Sequence, residues 1–127
     1  MTYRFHHIHV ICGDLPATEA FFANDLGATL VERRKFGTTD GAIIDLGGTR
    51  IYLRARRESD AITGDSANPR FGYDHIGLRV DDIDAAYKTL SGKGYVFFMI
   101  PQQQGNMRIA FLKGPDNITI ELLQPLG

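Results

Sequence analysis

The sequence predicts an α+β fold built from two paired βαβββ modules. Three observations predict it: a motif written twice at matched spacing, strand and helix periods recurring in one order, and a length of 127 residues. That length is twice a module of about 55 residues plus a connector, and a module of that size is marginal alone, so the two should pair. His7-Ile8-His9-Val10 leads to Asp14-Leu15, and His75-Ile76-Gly77-Leu78 leads to Asp82-Ile83, the histidine preceding the aspartate by seven residues each time. Gly27 follows Asp14 by thirteen positions and Gly94 follows Asp82 by twelve. Tyr52 stands 45 residues after His7, and Glu121 stands 46 after His75.

Each element has a local reason. His7 to Ile11 and His75 to Val80 are apolar and β-branched, which reads as a strand. Asp14 and Asp82 sit where a helix N-cap belongs, and Pro16 falls in the first turn, where a missing N–H costs nothing. Leu15, Phe21, Phe22 and Leu26, then Ile83, Ala86, Tyr87 and Leu90, recur near helical spacing and predict core-facing helices. Gly27 and Gly94 end them. Three extended segments follow in each half, about 28–36, 41–46 and 50–55, then 95–100, 107–113 and 118–123. Gly47-Gly48 and Pro115-Asp116-Asn117 turn the last pairs. The expected organisation is one domain over 1–127, with a module at about 4–55, a polar connector at 56–72 and a second module at about 73–125.

Composition narrows the function. With 43% hydrophobic and 23% charged residues and a net charge of −1, the chain lacks the basic excess of a nucleic-acid or anionic-membrane binder. One cysteine, Cys12, forms no intramolecular disulfide and reads as a small buried filler. No apolar run approaches the eighteen or so residues of a membrane span, and the N-terminus lacks the apolar centre of a signal peptide. The expectation is a cytoplasmic protein with a small-molecule partner.

If a pseudo-twofold relates the modules, His7 and His75 are equivalent, and Glu121 lies on a last strand beside the first. Two imidazoles and a carboxylate are a recurrent set for a divalent transition metal. A hydrogen-bonded or exposed Glu121 on the sheet rim is the other reading. Ile118, Ile120 and Leu122 share one strand face, and Thr119, Glu121 and Leu123 the other.

These residues, with Phe111-Leu112-Lys113-Gly114-Pro115-Asp116-Asn117 leading to Glu121, make the whole chain resemble the vicinal-oxygen-chelate superfamily. That superfamily includes glyoxalase I, methylmalonyl-CoA epimerase, extradiol dioxygenases, and bleomycin and fosfomycin resistance proteins. The resemblance implies a cupped, mostly antiparallel glyoxalase-like sheet around a divalent metal (Zn, Ni, Mn or Fe) held by His7, His75 and Glu121. It also implies a homodimer, with modules paired within a chain or across two. The pattern departs at Tyr52, where glyoxalase I has glutamate and the epimerase glutamine. The implied activity is a lyase or isomerase that chelates adjacent oxygens of a small carbonyl substrate. Glu121, or a metal-bound hydroxide, would move the proton, and Tyr52 would donate to the oxyanion, remain a distant ligand or fill space.

The alternatives are an extradiol-type dioxygenase and a fosfomycin- or bleomycin-type resistance protein. Phe111 and the lack of any histidine after His75 remove the expected proton donors of ring cleavage. The loop Gln102-Gln103-Gln104-Gly105-Asn106 lacks the serine and lysine cluster expected to hold a phosphonate. Further substrate-binding candidates are His9, on the face of His7; Arg108, ahead of Phe111; and Phe98, which with Phe97 and Met99 is placed to line a cavity. His6 is expected on the opposite face as a structural residue. Arg33-Arg34-Lys35 and Arg54-Arg56-Arg57 read either as attractors of an anionic substrate or as solvated strand edges.

Overall fold

A computed structural model describes residues 2, 4–60 and 73–127. They fall into two compact units, Met1–Ile62 and Thr63–Gly127. The larger part of the predicted connector, with Gly64, Asp65, Ser66, Asn68 and Pro69, lies outside the described residues.

The first unit contains β1 (Ile8–Cys12), α1 (Leu15–Ala20), a π-helical turn (Phe21–Asp25), β2 (Thr29–Phe36), β3 (Thr39–Leu46) and β4 (Thr49–Ala55). The second contains β5 (Ile76–Arg79), α2 (Ile83–Gly92), β6 (Phe97–Gln104), β7 (Met107–Lys113), a 3-10 turn (Pro115–Asn117) and β8 (Thr119–Pro125). Each is a βαβββ unit with a four-stranded sheet, ordered β1-β4-β3-β2 and β5-β8-β7-β6. The first strand of each unit runs parallel to the last, and the other pairings are antiparallel. The predicted fold class is therefore observed, as two mixed but mostly antiparallel sheets.

The predicted signals act where they stand. The Asp14 carboxylate accepts from Ala17 N and that of Asp82 from Ala85 N, both at 3.0 Å, so each helix starts on a side-chain cap. Gly27 and Gly94 adopt φ of +78° and +95°, which L side chains rarely take. One sheet face in each unit is apolar. Ile44, Ile51 and Leu53 are buried with Phe21 and Phe22, and Ala110, Leu112, Ile120 and Leu122 with Ile83 and Leu90. Each fully buried Leu, Ile or Phe stabilises by about 1.5–3 kcal/mol, so these faces hold the helices in place. Cys12 is buried at the end of β1, as expected.

Three departures have physical causes. The first helix does not stay α-helical: Leu26 N donates to Phe21 O, a five-residue step that widens the turn. Phe21 and Phe22, consecutive in sequence, are both buried there. The strand expected over 95–100 instead spans 97–104 and passes through Pro101, so Gln102, Gln103 and Gln104 belong to β6 rather than to a loop. An edge strand tolerates proline because one row of its backbone groups needs no ladder partner. His7 and His75 lie one residue before β1 and β5 rather than inside them.

Candidate functional site

In the second unit, strand register sets Gly77, Glu121 and Phe111 side by side across β5, β8 and β7. Residues in one such row point to one face. Their neighbours Ile120, Leu122, Ala110 and Leu112 fill the apolar core, so Glu121 and Phe111 occupy the opposite face. His75 joins them: its Nε2 lies 3.2 Å from Glu121 Oε1, and its Nδ1 lies 2.8 Å from Asp74 Oδ2. The hydrogen bond to Asp74 raises the His75 pKa, helped by the charge of Glu121 and opposed by partial burial. Gly77 brings no side chain to this face; a Cβ there would stand 3.4 Å from Oε1, an ordinary contact distance.

The rest of this face is aromatic. The Phe111 ring meets the His75 ring edge-on with centroids 5.3 Å apart, and Phe98 stacks on Phe111 at 5.6 Å. Lys113 Nζ lies 4.9 Å from the Phe98 ring centre, within cation–π range. Phe97 turns the other way and packs on Tyr87 of α2.

Arg108 is elsewhere. It pairs with Asp84 of α2, and its register partner Gln124 accepts from Ile83 N at the start of α2. The structure thus sets Arg108 on the helix side of the sheet, away from Glu121.

In the first unit the equivalent row is His9, Tyr52 and Ile43. His7 stacks on Tyr52 with centroids 3.8 Å apart and planes within 10°. Phe36 closes the cluster, edge-on to His9 at 4.9 Å and tilted on Tyr52 at 5.7 Å. His9 is exposed, and partial burial lowers its pKa, with Arg54, His7 and Arg57 adding repulsion. His6 does not turn away from His7 as expected: its Nδ1 lies 2.8 Å from His7 Nδ1, because residues ahead of the strand are free of its alternation.

The two basic runs are engaged in ion pairs. Arg33 binds Glu19, and Lys35 binds Asp40. Arg54 fits neither sequence reading: it is buried and holds both carboxylate oxygens of Asp60 at 2.9 and 3.2 Å.

Residues missed by sequence reasoning are Asp74 and His6, each immediately before a predicted ligand histidine. That adjacency was the available signal. Within either unit, no three His, Cys, Asp or Glu side chains are arranged to hold a metal ion among the described residues. The His75–Glu121 pair nonetheless fits a metal. Two donors on one ion at about 2.1 Å lie roughly 3.0–3.4 Å apart for angles from square to tetrahedral, which brackets the Nε2–Oε1 separation.

A family profile described as "Glyoxalase/Bleomycin resistance protein/Dioxygenase superfamily" matches residues 4–122. The chain belongs to this superfamily. Among curated proteins, it is 28% identical over 121 residues to a "Probable lactoylglutathione lyase" of Synechocystis, covering 93% of this chain and 92% of that protein. It is 27% identical over 146 residues to the "Lactoylglutathione lyase" of Schizosaccharomyces pombe, covering 96% of this chain but only 47% of that protein, so it spans about half of that relative. Among solved structures, a glyoxalase family protein from Bacillus cereus superposes with a TM-score of 0.83 at 21% identity, over 100% of this chain and 97% of that one. A variant of the fosfomycin resistance protein FosX from Listeria monocytogenes, complexed with Mn(II) and a dihydroxypropylphosphonic acid, gives 0.76 at 20% identity, over 96% and 92%. At these identities the structures speak for the superfamily fold. No helix among the described residues is long and apolar enough to cross a membrane.

Proposed function

We propose that this superfamily member is a metal-dependent lyase or isomerase of the glyoxalase type, acting on a small carbonyl substrate that presents adjacent oxygens. The observation that carries the reading is the pair His75 Nε2 and Glu121 Oε1, 3.2 Å apart. With Nδ1 bonded to Asp74, a neutral His75 turns a lone pair toward a carboxylate oxygen. Two acceptors so placed call for a cation between them, either a proton or a divalent ion. His7, His75 and Glu121 form the proposed ligand set, with His7 assigned by the sequence repeat. A divalent ion bound there supplies Lewis-acid polarisation of the substrate oxygens, which acidifies the neighbouring C–H.

The chain's own residues do the remaining work. Glu121 accepts the proton and returns it to the adjacent carbon. Tyr52, stacked on His7, fixes that ring and is the proposed donor to the developing oxyanion. Phe98 and His9 are the proposed substrate contacts; Arg108, paired with Asp84, is left out. A homodimer in a reducing cytoplasm completes the proposal. The lactoylglutathione lyase relatives support the lyase reading, and the FosX complex with Mn(II) supports a metal of this class.

The test is elemental analysis of the untagged chain, then metal reconstitution and a screen of methylglyoxal–thiol hemithioacetals, acyl-CoA esters, catechols and fosfomycin. Stoichiometric metal and isomerisation of a hemithioacetal are expected. Wild-type metal content and activity in His7→Ala would end the reading. Turnover of fosfomycin or a catechol alone would replace it with one of the alternatives.

A further inference from the structure

We infer that Asp74 is a positioning residue that holds His75 with Nδ1 protonated and leaves Nε2 as the bare, ligating nitrogen. The inference rests on the metal reading above and assigns a role to a residue outside the ligand set. An ionised carboxylate only accepts hydrogen bonds, so the 2.8 Å contact from Asp74 Oδ2 puts the proton on Nδ1. A neutral imidazole has one proton to give, and Glu121, at the longer 3.2 Å, competes for it on Nε2. Asp74 thereby decides which face of the ring is a donor. Phe111, edge-on to the ring, limits its tilt, leaving the hydrogen bond to set its rotation. Partners of this kind on the far nitrogen of a ligating histidine typically change metal affinity 10–100-fold.

The first unit carries a weaker version of the device. His6 Nδ1 meets His7 Nδ1 at 2.8 Å, again from the preceding residue. An imidazole partner can donate or accept, so that contact does not fix the proton. Asp74 does.

Two measurements on the full-length chain test the inference. In metal-free protein at alkaline pH, long-range nitrogen–proton correlation spectra should show His75 protonated on Nδ1, and Asp74→Ala should move the proton to Nε2. Calorimetric titration with Ni(II) should show Asp74→Ala binding 10–100-fold more weakly. Asp74→Asn, whose amide oxygen still accepts, should lose less. The Asp74 side chain is 56% exposed, so both variants should still fold. A wild-type His75 protonated on Nε2, or unchanged Ni(II) affinity in Asp74→Ala, overturns the assignment of Asp74 alone. A wild-type chain that takes up no Ni(II) overturns the metal reading, and the position of the His75 proton then still decides whether Asp74 controls the ring.

Discussion

His7 and His75 enter equivalent strands, yet their neighbours differ in kind. His7 lies flat on Tyr52 at 3.8 Å and touches His6, with His9 and Phe36 beyond. His75 lies between two carboxylates, Asp74 at 2.8 Å and Glu121 at 3.2 Å. The rows beneath them run in the same register, His9–Tyr52–Ile43 against Gly77–Glu121–Phe111. The backbone therefore offers the same three places twice: the residue before the histidine, the residue two beyond it, and the partner on the last strand. Filled with rings, they stack and shield an imidazole. Filled with two carboxylates and a glycine, they tune its charge and set a carboxylate oxygen 3.2 Å from its second nitrogen.

The strongest way to break this contrast is to neutralise the second half. Glu121→Gln keeps the size of the side chain and removes its charge and basicity. On the proposed function, turnover by the metal-reconstituted chain is expected to fall about 10³-fold, the middle of the range for a lost general base. A fall of less than tenfold would move the proton-transferring group elsewhere and end the catalytic distinction between the halves.

The ring cluster of the first half has its own weak point. Gly41 lies under Phe36, and a Cβ there would overlap that ring and stand 2.6 Å from the Leu53 carbonyl oxygen. The ring can swing aside, but the backbone oxygen of a central pairing cannot. Gly41→Ala is expected to destabilise by about 3 kcal/mol, measured by urea unfolding. A loss under about 0.5 kcal/mol would mean that the β3–β4 backbone gives way easily at this point, and that the first half's sheet is less rigid than its pairing implies.

Transplanting one half's chemistry into the other sharpens the comparison. Tyr52→Glu alone puts a carboxylate where His9, rather than a glycine, occupies the neighbouring place. The double change His9→Gly with Tyr52→Glu reproduces the Gly77–Glu121 arrangement beside His7. The double variant should bind Ni(II) about tenfold more tightly than wild type, a gain of ~1.4 kcal/mol, and Tyr52→Glu alone should gain less. Equal effects of the two variants would show that the glycine does not matter.

Much of this was legible in the sequence. The caps Asp14 and Asp82, the stops Gly27 and Gly94, and the repeat itself are local signals, and all appear as βαβββ twice. The repeat placed Glu121 on a last strand beside the first, and the structure sets β8 next to β5, in parallel, with Glu121 against His75. What could not be read depended on tertiary surroundings. The widened turn at Phe21 follows from two consecutive side chains both being drawn into the core. Arg108 turns to α2 because Asp84 stands two residues past the cap, a pairing across 24 residues that no spacing rule supplies. Asp74 and His6 lie ahead of β5 and β1, where strand alternation no longer sets the direction of a side chain.

The smallest expected effect is also the one in which the halves oppose each other. His75 has its pKa raised above 6.5 in the folded chain, chiefly by Asp74, so its stabilisation is complete below that value and is lost as pH rises through the folded pKa. His9 has its pKa lowered below 6.5, chiefly by burial, so its contribution is present above that value and is lost as pH falls through the folded pKa. The metal-free protein should therefore be most stable near the ordinary imidazole pKa, with a shallow fall on either side from these two residues. Urea unfolding between about pH 5 and pH 9 reads both limbs. Asp74→Ala should flatten the alkaline limb and leave the acid limb in place, whereas His9→Gln should do the reverse. If either variant flattens both limbs, the two histidines titrate as a coupled set and the contrast between an aromatic and a charged half fails at its root.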